Sequence, residues 1–145
     1  MIEKIERDDL MNRTLVLVKP QAVDRGLTGK IVARYEEKGL KIIALTMCVA
    51  DENLLAKHYE EHIGKSFYVE LLEAMQQGPV IAMVLEGSDA VTAARMLNGA
   101  TDPVKAAPGT IRGDFGLELE NNIVHASDSI QSASREIKLW FPDLQ

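Results

Sequence analysis

The sequence predicts an α+β domain, a mainly antiparallel four-stranded sheet covered by helices. Three observations carry this expectation. The chain has 145 residues, near the modal length for one domain. Short β-rich runs, Thr14–Val18 and Val80–Leu85 the clearest, are separated by segments with helical spacing. Cap-type residues, glycines and prolines punctuate those segments where elements should start and stop. The helices are expected on one face of the sheet, the usual α+β arrangement.

The first ten residues are mixed and charged without periodicity. Residues 1–13 therefore read as an N-terminal arm before a single domain of residues 14–145, with Met11 an equally good start. The run TLVLV ends at Lys19-Pro20, where proline should stop the strand. Ile31, Val32 and Tyr35 follow at helical spacing, with Gly39 as a C-terminal cap. A second strand is expected over Leu40–Val49. Asp51 can cap a helix carrying Leu54, Leu55, His58, Tyr59 and His62 on one continuous run. A short helix over Phe67–Met75 should end before Gly78-Pro79. The uniformly apolar VIAMVL of residues 80–85 suits a central strand, and Ser88 or Asp89 can cap a helix containing Val91, Ala94 and Leu97. Residues Asn98–Phe115, rich in glycine and proline, read as a long ordered loop, and such loops inside compact domains are usually functional. A short strand, Asn122–Val124, leads to a last helix with the stripe Ile130, Ala133, Ile137, Trp140. The resulting order, β-α-β-α-α-β-α-β-α, resembles a ferredoxin-like βαββαβ core with added helices.

Composition narrows the function. A net charge of −6 argues against broad electrostatic binding to nucleic acid or to a membrane, so an anionic ligand must be met by a few cations gathered in one place. Cys48 is the only cysteine, which suits a reducing compartment, and no run approaches the ~18 apolar residues of a membrane-spanning helix. A cytoplasmic location is expected.

The segment Asn122-Ile-Val-His125-Ala-Ser127-Asp128-Ser129 delivers a histidine at a strand end, then a small residue, then cap-type residues opening a helix. A neutral imidazole is a good nucleophile near pH 7, and free N–H groups at a helix start attract anions. The plainer reading is a hydrogen-bonded histidine above an ordinary capped helix. In the glycine-proline loop, Arg95, Thr101 and Arg112 could grip phosphate oxygens, or the two arginines could simply be solvated. Lys19, fixed by the following proline, could present a point charge. The P-loop and the G-x-G-x-x-G fingerprint are both absent, so a nucleotide must be held in another way. One rival motif, His58-Tyr-Glu-Glu61-His62, matches the H-x-x-E-H zinc site of inverted-motif peptidases, with two histidines one helical turn apart. No third ligand is marked downstream.

Taken together, VKPQAVDRGLTGKI, HYEEHIGKSFY, GPVIAMVLEG, RMLNGATDP, APGTIRGDFG and NIVHASDS resemble the nucleoside diphosphate kinase family, over about Thr14 to Phe141. The resemblance implies transfer of the γ-phosphate of ATP, GTP or another nucleoside triphosphate to a nucleoside diphosphate. It implies a ping-pong reaction through a phosphohistidine on His125, with broad base specificity. It implies Arg95, Thr101 and His62 on the outer phosphates, Arg112 and Tyr59 near the transferring group, and Lys19 and Asn122 near the sugar hydroxyls and γ-phosphate. Phe67 would stack on the base. Glu136, on the polar flank of the last helix, would orient His125 through Ser127. Mg²⁺ is implied as cofactor, held through the nucleotide phosphates with no protein ligand, and so is a homo-oligomer, a tetramer or hexamer built from dimers. Gln21, Ser66 and Ala126 depart from the usual acidic residue, proline and glycine. The alternative is a catalytically silent ferredoxin-like binding or assembly module, which loss of His125 or Arg112 would mark; both are present.

Overall fold

The computed structural model describes residues 11–145, so the expected arm lies largely outside the described residues. Strand β1 (Met11–Val18) starts three residues ahead of the run read from sequence, because Met11, Asn12 and Arg13 continue the ladder opposite Ser88, Gly87 and Glu86. Pro20 stops it and opens a short helix, α1 (Pro20–Asp24), where a missing N–H costs nothing. Helix α2 (Thr28–Lys38) ends on Gly39 in the left-handed conformation. Strand β2 (Lys41–Cys48) precedes α3 (Glu52–His58), which is capped by the Asp51 side chain. After a 3₁₀ turn at Glu60–His62 come α4 (Tyr68–Met75), β3 (Val80–Ser88) and α5 (Ala90–Asn98). The glycine-proline segment, expected to be loop throughout, contains α6 (Ile111–Phe115), and a second 3₁₀ turn at Leu119–Asn121 leads to β4 (Val124–Ala126) and α7 (Ile130–Trp140).

The sheet order is β2-β3-β1-β4 and every pairing is antiparallel, the ferredoxin-like arrangement. One expectation is corrected: helices cover both faces, not one. Val16 and Val18 of β1 face Ile31, Tyr35, Ala94 and Ile111, whereas Leu15 and Leu17 face Leu55, Met75 and Trp140. The reason is visible in the strands themselves. Residues 14–18 and 80–85 are buried at every position, without the polar alternation of a sheet wetted on one side.

Two further departures shape the functional region. The helix expected to run through His62 ends at His58, because Tyr59 leaves helical geometry (φ −101°, ψ 26°) and buries its ring in the second core. The last strand begins two residues late, so His125 lies within β4, opposite Leu17, instead of following the strand.

Candidate active site

The register of β4 is set by its first turn. The Val124 N–H donates to the Asn122 carbonyl at 2.8 Å, closing a three-residue turn about Ile123, whose φ is +74°. A β-branched residue in that region is strained, and it persists only where its surroundings hold it. Here Ile123 is 3% exposed and its carbonyl accepts the Lys19 N–H at 2.9 Å. One turn therefore ties the end of β1, which carries Lys19, to the start of β4, which carries His125.

The His125 side chain is about one-fifth exposed, and its Nε2 lies 2.6 Å from Glu136 Oε1. With Nε2–H donated to the carboxylate, Nδ1 keeps the lone pair on a ring that lines an open cavity. Glu136 was expected on the polar flank of its helix, yet it is 4% exposed. It points inward because Ser127 Oγ also donates to it, at 3.2 Å, and Ser127 is in turn fixed by the Leu15 N–H. Glu136 thus reaches His125 directly, with Ser127 behind it and not between them. Burial, followed by the charges of Lys19, Arg112 and Arg95, pushes the His125 pKa down to about 3, so the imidazole is neutral at physiological pH. Burial raises Glu136.

Three cations approach this ring. Lys19 Nζ donates to Asn122 Oδ1 at 2.6 Å, and Asn122 Nδ2 donates to the Thr101 carbonyl. Burial, then the neighbouring Arg112, lowers Lys19 to about 8. Arg112 donates to the carbonyls of Asn122 (3.0 Å), Gly99 (2.9 Å) and Val124 (2.7 Å). Two of its five N–H groups remain for a ligand. Burial brings it to about 10, still a cation at neutral pH. Arg95 reaches the Ala126 carbonyl at 3.4 Å.

The seat of Arg112 is built locally. Thr110 caps α6 by accepting the Gly113 N–H at 3.0 Å, and Arg34 from α2 clasps the loop at the Gly109 carbonyl (2.9 Å) and Asp114 (2.7 Å). Gly113 is required by space. A Cβ there would sit 2.0 Å from the Ala107 carbonyl oxygen. Gly113→Ala is expected to destabilise the fold by about 1–3 kcal/mol and to displace Arg112. Urea unfolding checks this, and an unchanged midpoint would contradict the close approach.

A cavity of about 570 Å³ opens over His125, within the usual size of a small-molecule site. Lys19, Tyr59, His62, Phe67, Arg95, Thr101, Arg112, Asn122 and Glu136 line it together with His125; of the residues to which the family resemblance gives a role, Ser127 alone is set back. His62 stacks on Tyr59 (ring centroids 6.1 Å apart), and half-exposed Phe67 meets the edge of His62 at 5.2 Å. Burial raises the Tyr59 hydroxyl. Sequence reasoning missed Glu70, Leu71, Leu119, Glu120, Ser132 and Arg135, which also line the cavity. Leu119, half-exposed in an acidic run, carries no local signal of its role; Arg135, one residue before Glu136, could have been found by helical spacing from Ser132.

The zinc motif does not assemble. His58 ends α3 while His62 lies in the following 3₁₀ turn, so they do not share a helical face. His58, His125 and Glu136 do bring ligand-type atoms within 4.8 Å of one another. However, Trp140 Nε1–H donates to His58 Nδ1 at 3.0 Å, which places the His58 proton on Nε2 and removes the lone pair that a metal would need there. A hard cation finds no better cage, since Glu136 is engaged by His125 and Ser127 and the charges of Lys19, Arg112 and Arg95 bear on His125. Mg²⁺ fits this donor set only if its oxygens come from a phosphate ligand and water.

A family model described as nucleoside diphosphate kinase matches residues 12–145. A nucleoside diphosphate kinase of Saccharopolyspora erythraea is 57% identical over 136 residues, covering 93% of this chain and 100% of the relative. One from Thermobifida fusca is 57% identical over 134 residues, covering 92% and 99%. Among solved structures, a nucleoside diphosphate kinase from Halobacterium salinarum in complex with CDP aligns with a TM-score of 0.89 at 49% identity, covering 91% of this chain and 88% of that one. The apo enzyme from Encephalitozoon cuniculi aligns with a TM-score of 0.89 at 42% identity, covering 91% and 90%.

Proposed function

Because the chain belongs to the nucleoside diphosphate kinase family, a family of phosphotransferases acting between nucleoside tri- and diphosphates, we propose that its reaction runs through a phosphohistidine on His125. The observation that carries this reading is the 2.6 Å contact from Glu136 to Nε2, which leaves Nδ1 as the nucleophile beside three cations. In the first half-reaction an Nδ1–P bond forms as the bond between the γ-phosphorus and the β,γ-bridging oxygen breaks, and the diphosphate leaves with that oxygen. In the second, a terminal oxygen of an acceptor diphosphate takes the phosphoryl group and returns neutral His125.

The residues divide this work as their positions allow. Glu136, supported by Ser127, fixes the ring and receives the positive character that develops on it. The free N–H groups of Arg112 and the Lys19 ammonium meet the transferring oxygens, with Asn122 steering Lys19 and Tyr59 closing the pocket beside them. Arg95, Thr101 and His62 hold the outer phosphates. Mg²⁺, held by phosphate oxygens and water, would supply charge neutralisation across the β- and γ-phosphates. Phe67, facing solvent at the cavity mouth, stacks on the base, and stacking tolerates every base because each has a π-face. Phe67→Ala is therefore expected to raise KM for adenine, guanine and cytosine nucleotides to similar extents, roughly 10-fold. Steady-state kinetics check this, and a loss confined to one base would defeat the stacking role.

The direct test uses γ-labelled ATP with Mg²⁺. Protein-bound label should be lost in acid, survive base and move to added GDP; label that survives acid would refute a phosphohistidine. We also infer a homo-oligomer, a tetramer or hexamer built from dimers. What supports it is the edge strand β2, where Leu45 and Met47 are about half exposed. Sedimentation velocity distinguishes these states from a monomer. Among the described residues no helix is long and apolar enough to cross a membrane, and the single Cys48 supports a cytoplasmic location.

A further inference from the structure

His58 is a buried titratable group that the mechanism above leaves unused. It is 4% exposed, and its ring meets the His125 ring edge-on, with centroids 4.5 Å apart and planes at 73°. Burial first, and the surrounding cations besides, keep it neutral, with a pKa near 3. Its Nδ1 accepts the Trp140 Nε1–H at 3.0 Å, while its Nε2 is buried with no partner among the described residues. Glu136 and Trp140 are one helical turn apart on α7, so the two side chains emerge from the same face. One takes hold of each histidine: Glu136 grips His125 at Nε2, and Trp140 grips His58 at Nδ1. Arg135 completes the attachment by donating to the Lys57 and His58 carbonyls, which fastens the end of α3 to the same helix.

Among the described residues, the His125 ring has one hydrogen bond to a side chain, through Nε2. That contact fixes one nitrogen but allows the ring to swing about it. The nearest ring that limits such swinging is His58, with Tyr59 farther off at 6.4 Å, and His58 is itself unable to turn over because Trp140 engages one of its nitrogens. We propose that His58 is a positioning residue for the His125 nucleophile, its ring oriented by Trp140 and set as the rigid surface that keeps Nδ1 aimed into the cationic cradle. This rests on His125 being the nucleophile. Near-attack geometry is demanding, and a displacement of about 1 Å can lower a rate by roughly 10²-fold.

Two variants separate the two halves of the device. His58→Asn keeps an acceptor for Trp140 but removes the ring wall; Trp140→Phe keeps the wall but releases its orientation. Rapid-quench labelling with γ-labelled ATP reads both the rate of phosphoenzyme formation and the amount of label per chain. We expect the rate constant to fall about tenfold in each variant, with label per chain and nucleotide KM unchanged. In the unlabelled-state ¹⁵N spectrum, His58 should be a single Nε2–H tautomer in the wild type and a mixture in Trp140→Phe. An unchanged rate constant, or a loss of label per chain at unchanged rate, reduces His58 to a folding role and overturns the proposal. Absence of label on His125 in the wild type would instead overturn the reading on which it rests.

Discussion

With His125 replaced by alanine, the protein is expected to take up no acid-labile phosphate from ATP and exchange is expected to fall by on the order of 10⁴–10⁶-fold, the scale set by loss of a covalent nucleophile. Neither His58 nor Lys19 can substitute. His58 presents an N–H where a lone pair is needed, because Trp140 occupies its other nitrogen. Lys19 retains its proton at neutral pH and is held by Asn122. The change also leaves Glu136 buried with Ser127 as its remaining donor, so a modest fall in stability accompanies the lost chemistry. Labelling after acid and base treatment, together with a thermal melt, separates the two effects. Labelled protein in this variant, whatever the rate, would remove the nucleophile from its assigned place.

The second large effect is expected at Arg112. Alanine there removes a preorganised cation and should lower kcat by about 10²–10³-fold. It also severs three donations that join the residue after α5, the turn leading into β4 and β4 itself, so the melting temperature should drop along with the rate. Lysine does not restore either property. A lysine ammonium is a compact point charge on a flexible stem, whereas the planar guanidinium spans three carbonyls and still faces the cavity. Recovery of more than half the activity in Arg112→Lys would show that charge alone suffices.

The fold was largely legible where local chemistry and global packing agree. Asp51 and Gly39 begin and end helices and Pro20 stops β1 as their types predict, although the short helix that Pro20 opens was not expected, and the uniform burial of β1 and β3 follows from runs without polar alternation. That same uniformity should have announced a sheet covered on both faces. The register of β4 was not readable, because nothing in Asn122-Ile123-Val124 advertises a β-branched residue with positive φ; surrounding contacts impose it against local preference. Glu136 belongs to the same class. Its type favours solvent, and only the positions of His125 and Ser127, distant in sequence, turn it inward. His58 and His62 were separated by the inward turn of Tyr59, a tertiary event that helical periodicity cannot anticipate.

Arg112 is anchored to three backbone carbonyls, none of which belongs to a ligand. A guanidinium seated on the backbone is preorganised, so it meets the incoming triphosphate and the outgoing one with the same geometry. For an exchanger whose two half-reactions are mirror images, indifference to direction is an advantage: neither partner is trapped by a conformation that must relax before release, and flux follows the concentrations of the nucleotides.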